Sequence, residues 1–348
     1  MSLAERENLL AGWASEQAAR HGWPAPAAAL EPVSGDASFR RYFRLRTARG
    51  PLIAVDAPPE KENCRPFVAI ARALRQGGLS APEIIAADFT QGLMLLEDFG
   101  DALLRPALDG PRVDALYGLA MAELLRMQDV QDVHGYVLPP YDRERLCNEM
   151  QLFRDWFVQV HLGLTLSATE MAVLDAACTR IADDNLAQPV VFVHRDYHSR
   201  NLMLLPDGRL GLIDFQDAVS GPVTYDLVSL LRDAYVAWPA ERVRGWALQF
   251  ARMLRDERRI DADDATFLRW FDWMGAQRHL KVVGIFARLN HRDGKSAYLD
   301  DIPRVFNYLL AEIAGYPELA PLDALLRERI VPAWLARAPQ ARAQLPAL

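Results

Sequence analysis

The sequence predicts an α+β protein in which a small, mainly antiparallel sheet comes first and a larger, mainly helical part follows. Three observations carry that expectation. Up to about residue 99, short apolar or half-apolar runs alternate with Gly, Pro and Asn turns and enclose one helix. From about Pro111 the apolar residues take up helical spacing. One compact β segment, 190–213, then interrupts the helices. A chain of 348 residues is long enough for two lobes, expected at 1–99 and 100–348.

The elements follow in order. Ser2-x-x-Glu5 is a capping-box pattern, and Leu3, Leu9, Leu10, Trp13 and Ala14 keep helical spacing behind it. That helix should stop near His21-Gly22, ahead of Pro24 and Pro26. A half-buried strand is expected next, with Phe39, Phe43 and Leu45 on one face and Arg40, Tyr42, Arg44 and Arg46 on the other. Gly50-Pro51 turns the chain into the apolar strand Leu52-Ile53-Ala54-Val55. Asn63 caps a helix that points Phe67, Ile70, Ala71 and Leu74 inward and stops at Gly77-Gly78. Ile84-Ile85 and Leu93-Met94-Leu95-Leu96 read as further strands. Helices are expected over 113–127 and 143–160, and from the Ser167-x-x-Glu170 box to about Asp183. The strand Val190-Val191-Phe192-Val193 leads into His194, and a hairpin over 201–205 and 209–213 turns at Pro206-Asp207-Gly208. Helices resume near Tyr225 and continue to the end. They include an amphipathic stretch at 277–289 with a polar loop, Asn290 to Lys295, after it, and a tail beyond Arg337 expected to fray.

Composition excludes several classes. Hydrophobic residues make up 51% and charged ones 24%, the balance of a soluble globular protein. A net charge of −7 leaves no basic footprint for nucleic acid. No apolar stretch reads as a membrane span, the first residues lack signal-peptide order, and Cys64, Cys147 and Cys178 form neither a zinc pair nor a disulfide framework. A cytoplasmic monomer acting on a small molecule is the expectation.

The chemistry is concentrated in His194-Arg195-Asp196-Tyr197-His198-Ser199-Arg200-Asn201, followed beyond the hairpin by Ile213-Asp214-Phe215. The Asp-x4-Asn spacing puts a carboxylate and a carboxamide at opposite ends of one tight loop, and the hairpin returns Asp214 beside Asn201. One carboxylate and one amide oxygen suit Mg²⁺, which takes the rest of its ligands from water and phosphate. Phosphoryl transfer asks the protein for little more than a placed hydroxyl and neutralised phosphate charge. With these residues the chain resembles the aminoglycoside phosphotransferase and choline kinase superfamily, from about Ser34 to Tyr308, and Gly221-Pro222-x-x-Tyr225-Asp226-Leu227 is similar to its following element. The resemblance implies a protein-kinase-like two-lobed fold that uses ATP and Mg²⁺. It makes Asp196 the base or hydroxyl-orienting group and Asn201 and Asp214 the metal holders, with Asp226 bracing the catalytic loop.

By the same resemblance Ser34, Gly35, Asp36 and Ser38 belong to a phosphate-covering loop, with Arg41 beside it, and the segment through Glu97 and Phe99 faces adenine. One departure stands out. The third strand, ending Val55-Asp56-Ala57-Pro58, has no lysine, and helix 66–76 has no acid to pair with one. Arg41, Arg44 and Lys61 are the candidate replacements. The motifs, with Arg278-His279-Leu280-Lys281, also resemble the anomeric kinases of bacterial cell-wall recycling, which phosphorylate N-acetylmuramate and N-acetylglucosamine at the C1 hydroxyl. An amino-sugar acceptor would then meet Asp196, His198, Arg278, Lys281 and Arg292, with Arg278, Lys281 or Arg292 facing the lactyl carboxylate. On helix 277–289 the same cations read equally as solvent-facing charges of a core helix. Aminoglycoside, choline or homoserine phosphorylation, and a kinase-like scaffold without activity, are the alternatives.

Overall fold

The computed structural model describes residues 2–24, 30–33 and 39–346. Ser34, Gly35, Asp36 and Ser38 of the expected phosphate loop lie outside the described residues. The chain forms two compact units, one of residues 1–138 with 200–218 and one of residues 139–199 with 219–348.

The first unit opens with α1 (Leu3–Arg20), whose Ser2 and Glu5 close a capping box, and its helix ends at His21 as the sequence predicts. Five strands follow: β1 (Glu31–Val33), β2 (Arg41–Thr47), β3 (Gly50–Asp56), β4 (Ile84–Asp88) and β5 (Leu93–Glu97). They form an antiparallel sheet in the order β1-β2-β3-β5-β4. Between β3 and β4 runs α2 (Cys64–Gln76), capped by the Asn63 side chain. Alternation along the strands fixes two faces. Phe43, Leu45, Leu52, Ala54, Leu93 and Leu95 pack in one cluster with Leu10, Ala14 and Ala18 of α1. Tyr42, Arg44, Ile53 and Val55 therefore belong to the other face. Phe39 was expected on the α1 face of the strand. It lies before β2 instead and is 59% exposed, with Lys61 Nζ 4.4 Å from its ring centroid.

The same unit contains the short α3 (Leu104–Ala107) and α4 (Val113–Met127), and is completed by the hairpin of β7 (Leu202–Leu204) and β8 (Leu210–Leu212). Its preceding strand, β6 (Val190–Val193), belongs to the second unit and pairs there with β9 (Val219–Pro222). The hairpin is tied on both sides, by Leu204 N–H to Ala102 O at 2.7 Å and by Leu212 N–H to Ser80 O at 2.7 Å.

The second unit is helical. It holds α5 (Arg143–Leu152), continued by a π-helical stretch, Phe153–His161, and then α6 (Ala168–Leu186), α7 (Tyr225–Leu231), α8 (Ala240–Asp256), α9 (Asp264–Asp293), α10 (Ile302–Ile313), α11 (Ala320–Leu325) and α12 (Val331–Arg337). The 30-residue α9 is buried along most of its length and is the core of the unit. It crosses α5 closely because position 284 is glycine: a Cβ there would lie 2.3 Å from the Leu152 carbonyl carbon. The polar loop expected from Asn290 begins later than predicted. Asn290, His291, Arg292 and Asp293 are helical, and Gly294 at φ 70° ends α9 in the left-handed conformation. His291 and Arg292 suit a helix C-terminus, where carbonyl dipoles favour cations.

Candidate active site

The catalytic-loop residues fall into the two units, and each part has its own architecture. In the second unit the loop leaves β6 at His194, and the neighbourhood of α7 holds it at both ends. Asp226, in the first turn of α7, accepts the His194 N–H on Oδ2 at 2.6 Å and the Arg195 N–H on Oδ1 at 3.0 Å. Asp233, just past α7, accepts the Ser199 N–H at 2.9 Å. Between these points the Asp196 N–H donates to His194 Nδ1 at 3.3 Å. Arg195 sits at φ 77°, a left-handed conformation that a non-glycine residue holds only when its surroundings impose it. The two hydrogen-bonded ends of the loop supply that constraint.

The Asp196 carboxylate is 41% exposed, and buried cations stand around it. Arg278 Nη2 lies 4.0 Å from Asp196 Oδ1 while its Nη1 donates to Arg195 O at 2.8 Å and to the Tyr225 hydroxyl at 3.1 Å. Lys281 Nζ donates to the Tyr225 hydroxyl at 3.0 Å and lies 3.3 Å from Glu149. Desolvation alone would raise the Asp196 carboxyl, but Lys281, Arg278, His198 and Arg195 outweigh it and lower its pKa to about 2. At neutral pH it is an anion, able to accept a hydroxyl proton or fix a hydroxyl's orientation. Arg278 and Lys281 are not the solvent-facing charges of a core helix: their side chains are 7% and 8% exposed.

Glu149 on α5 is a contributor the sequence did not reveal. Its carboxylate takes the Arg195 guanidinium, the Tyr141 hydroxyl and Gln277 Nε2, besides Lys281. Burial pushes it up, yet Lys281 and Arg195 hold it below the usual carboxylate range. A buried anion with cations on two sides neutralises charges that would otherwise be costly to bury. Asp226 responds in the opposite sense, since burial raises its carboxyl to about 7 against the pull of its two N–H donors. Of the remaining acceptor candidates, the His198 ring meets Tyr235 edge-on at 5.3 Å. Arg292 is half-exposed and paired with Asp293 at 2.8 Å, apart from the Asp196 cluster.

In the first unit the β7–β8 hairpin brings Asn201 and Asp214 together. Asn201 Nδ2 lies 3.3 Å from Asp214 Oδ2, and Ile213 N–H donates to Asn201 O at 3.2 Å. Asp214, at φ 64°, also accepts Gln216 Nε2 at 2.8 Å on its other oxygen. Phe215 beyond it packs at a tilt against Phe67 of α2 with ring centroids 4.8 Å apart. Among the described residues no group of three or more His, Cys, Asp or Glu could hold a metal ion. One carboxylate beside one amide instead fits a hard ion that draws its other oxygens from phosphate and water.

The nucleotide candidates of this unit are placed as follows. Arg41 turns to the α1 face, donating to Asp56 Oδ2 at 2.6 Å, while Arg6 of α1 holds Oδ1 at 2.7 Å. Arg44 meets two acids, Asp98 at 3.1 Å and Asp101 at 3.0 Å. The Glu97 carboxylate accepts from Arg75 Nη1 at 3.2 Å and Glu83 N–H at 3.1 Å. Phe99 packs against Gly211 of β8: a Cβ there would come within 2.6 Å of its ring, so a side chain would push the ring off the hairpin.

Comparison with known proteins agrees with this architecture. Residues 29–263 match the profile of a family described as the phosphotransferase enzyme family. The chain is 46% identical to the N-acetylmuramate/N-acetylglucosamine kinase of Pseudomonas aeruginosa over 88% of this chain and 90% of that one. It is 41% identical to the protein of the same name from Neisseria meningitidis, over 86% and 90%. Among solved structures it superposes on a choline/ethanolamine kinase family protein from Mesorhizobium loti with a TM-score of 0.58, 16% identity and coverage of 93% and 99%. A thermostable mutant of an aminoglycoside phosphotransferase, in ternary complex with AMP-PNP and hygromycin B, gives a TM-score of 0.53 at 16% identity, with 83% and 95% covered. These two structures share the fold.

Proposed function

The chain belongs to the phosphotransferase enzyme family, and from that premise we propose that it transfers the γ-phosphoryl group of ATP to the C1 hydroxyl of N-acetylmuramate and N-acetylglucosamine, a step in peptidoglycan recycling. The relatives named for these two sugars match most of the chain and support the acceptor. The observation that carries the chemistry is Asp196, held ionised by Lys281, Arg278, His198 and Arg195 at one end of the loop that ends in Asn201.

In this reading Asp196 orients the anomeric hydroxyl and takes its proton as the O–P bond forms. A hemiacetal hydroxyl is more acidic than an ordinary alcohol, so a carboxylate of low pKa suffices when the proton moves late. Lys281 and Arg278 keep Asp196 anionic; Arg278 also ties it to the loop backbone through Arg195 O. Asn201 and Asp214 would hold Mg²⁺, which when bound neutralises phosphate charge. Residues 1–99 would bind the nucleotide, and 100–348 would supply the catalytic loop and the acceptor contacts. Among the described residues no helix is long and apolar enough to cross a membrane, and a cytoplasmic monomer with access to ATP fits the proposal.

The test is an acceptor screen with purified protein and ATP. N-acetylmuramate and N-acetylglucosamine should be consumed, while choline and an aminoglycoside are left untouched. Phosphorylation of only the latter pair would overturn the acceptor assignment.

A further inference from the structure

ATP carries its negative charge on the phosphates, and a protein of net charge −7 must meet them with a few aimed cations. The third strand offers none: Val55 and Ile53 stand on the sheet face opposite α1, in register with Tyr42 and Arg44. Of the cations expected there, Arg41 is on the α1 face against Asp56, Arg44 is outnumbered by Asp98 and Asp101, and Lys61 lies over the Phe39 ring.

Arg40 is placed differently. It lies one residue before β2, in line with Tyr42, and its Nη2 is 2.8 Å from Glu62 Oε2, the two side chains only 7% and 14% exposed. Glu62 Oε1 accepts the Phe39 N–H at 3.3 Å, so the same carboxylate fixes the start of β2. Tyr42 reports where this pair sits. Burial raises its hydroxyl, and then Arg40 lowers it while Asp214 and Glu62 raise it, so all three charges act on one phenol. A buried Arg–Glu pair is weak evidence for stability, since desolvation offsets much of its attraction. Glu62 lies just before Phe67, whose ring meets that of Phe215, the neighbour of Asp214, with centroids 4.8 Å apart, and this nearness to Asp214 gives the pair a use.

We propose that Arg40, oriented by Glu62, is the cation of the first unit that contacts the nucleotide phosphates, in place of a third-strand lysine. The proposal rests on the reading that the chain uses ATP. Glu62 is then a positioning residue, supplied from the turn before α2 where the helix itself has no acid.

The test is calorimetric titration of the purified full-length chain with Mg²⁺·ADP and with adenosine, which needs no acceptor. Arg40→Gln should weaken ADP roughly 10- to 100-fold, the effect of losing a charged hydrogen bond, and leave adenosine unchanged; Arg40→Lys should recover part of the loss. The swap Arg40→Glu with Glu62→Arg keeps an ion pair and hence the melting temperature, but should leave ADP weak. Normal ADP affinity in Arg40→Gln, equal loss for ADP and adenosine, or full recovery in the swap would each overturn the role. A wild-type chain that binds no ADP would defeat the ATP reading and Arg40 with it. ADP binding without sugar turnover would defeat only the acceptor.

Discussion

At the scale of single residues, Asp196 is the group proposed to take the hydroxyl proton. Asp196→Ala should cut turnover by roughly 10²- to 10⁴-fold, the usual worth of a positioned proton acceptor, with ADP affinity retained; unchanged turnover would remove the role. The charge around Asp196 also predicts acid behaviour. Its folded pKa is about 2, below the ordinary value of 3.8, so its contribution to stability is complete above pH 4 and lost as pH falls toward 2. Asp196→Asn should flatten the stability profile in that window, as read by acid unfolding. Asp226 runs the other way. With a folded pKa raised from 3.8 to about 7, its contribution is present at pH 4 and lost as pH rises through 7, a slope that Asp226→Asn should remove. Removing the Glu149 charge leaves Arg195 and Lys281 without a buried anion, so Glu149→Ala should lose about 3–5 kcal/mol of stability in denaturant unfolding, the range for breaking a buried pair. A loss under 1 kcal/mol would contradict its bracing role. The tight loop that carries Asp196 and the approach of Asn201 to Asp214 were legible because one short segment spells them out. Glu149 and Asp233 were not, because each reaches the loop across more than thirty residues and no local pattern marks either.

At the scale of elements, legibility followed the locality of the stabilising contacts. The caps at Ser2, Asn63 and Ser167 are local hydrogen bonds, and the helices behind them start where the sequence puts them. Strand β9, Val219-Ser220-Gly221-Pro222, was by contrast not expected from the sequence, and it is a strand by pairing with β6. Strand β1 has three residues, one of them proline, and exists by its ladder with β2. The continuation of α5 as a π-helix has no sequence signal either; packing on α9 accompanies it. That packing is itself testable. Gly284→Ala places a methyl group against the Leu152 backbone, which cannot swing aside as a side chain could. The variant should be destabilised by about 1–3 kcal/mol or more, the cost of overpacking, and show a lower melting temperature. An unchanged melt would mean that α5 and α9 can separate without loss.

For the whole molecule, charge distribution matters more than net charge. The chain is acidic overall, yet Asp196 is surrounded by Arg195, Arg278 and Lys281, and the first unit holds Arg40 beside Tyr42. Local cations of this kind suit an acceptor bearing a carboxylate and a nucleotide bearing phosphates, and they suit a polycationic aminoglycoside poorly. The most direct measurement is ³¹P NMR of the product formed from ATP and N-acetylmuramate by the wild-type chain, run beside the Asp196→Asn variant. A sugar phosphate coupled to the anomeric proton, absent with the variant, is the expected result. Phosphate on any other hydroxyl, or equal product from the variant, would contradict transfer to C1 through Asp196.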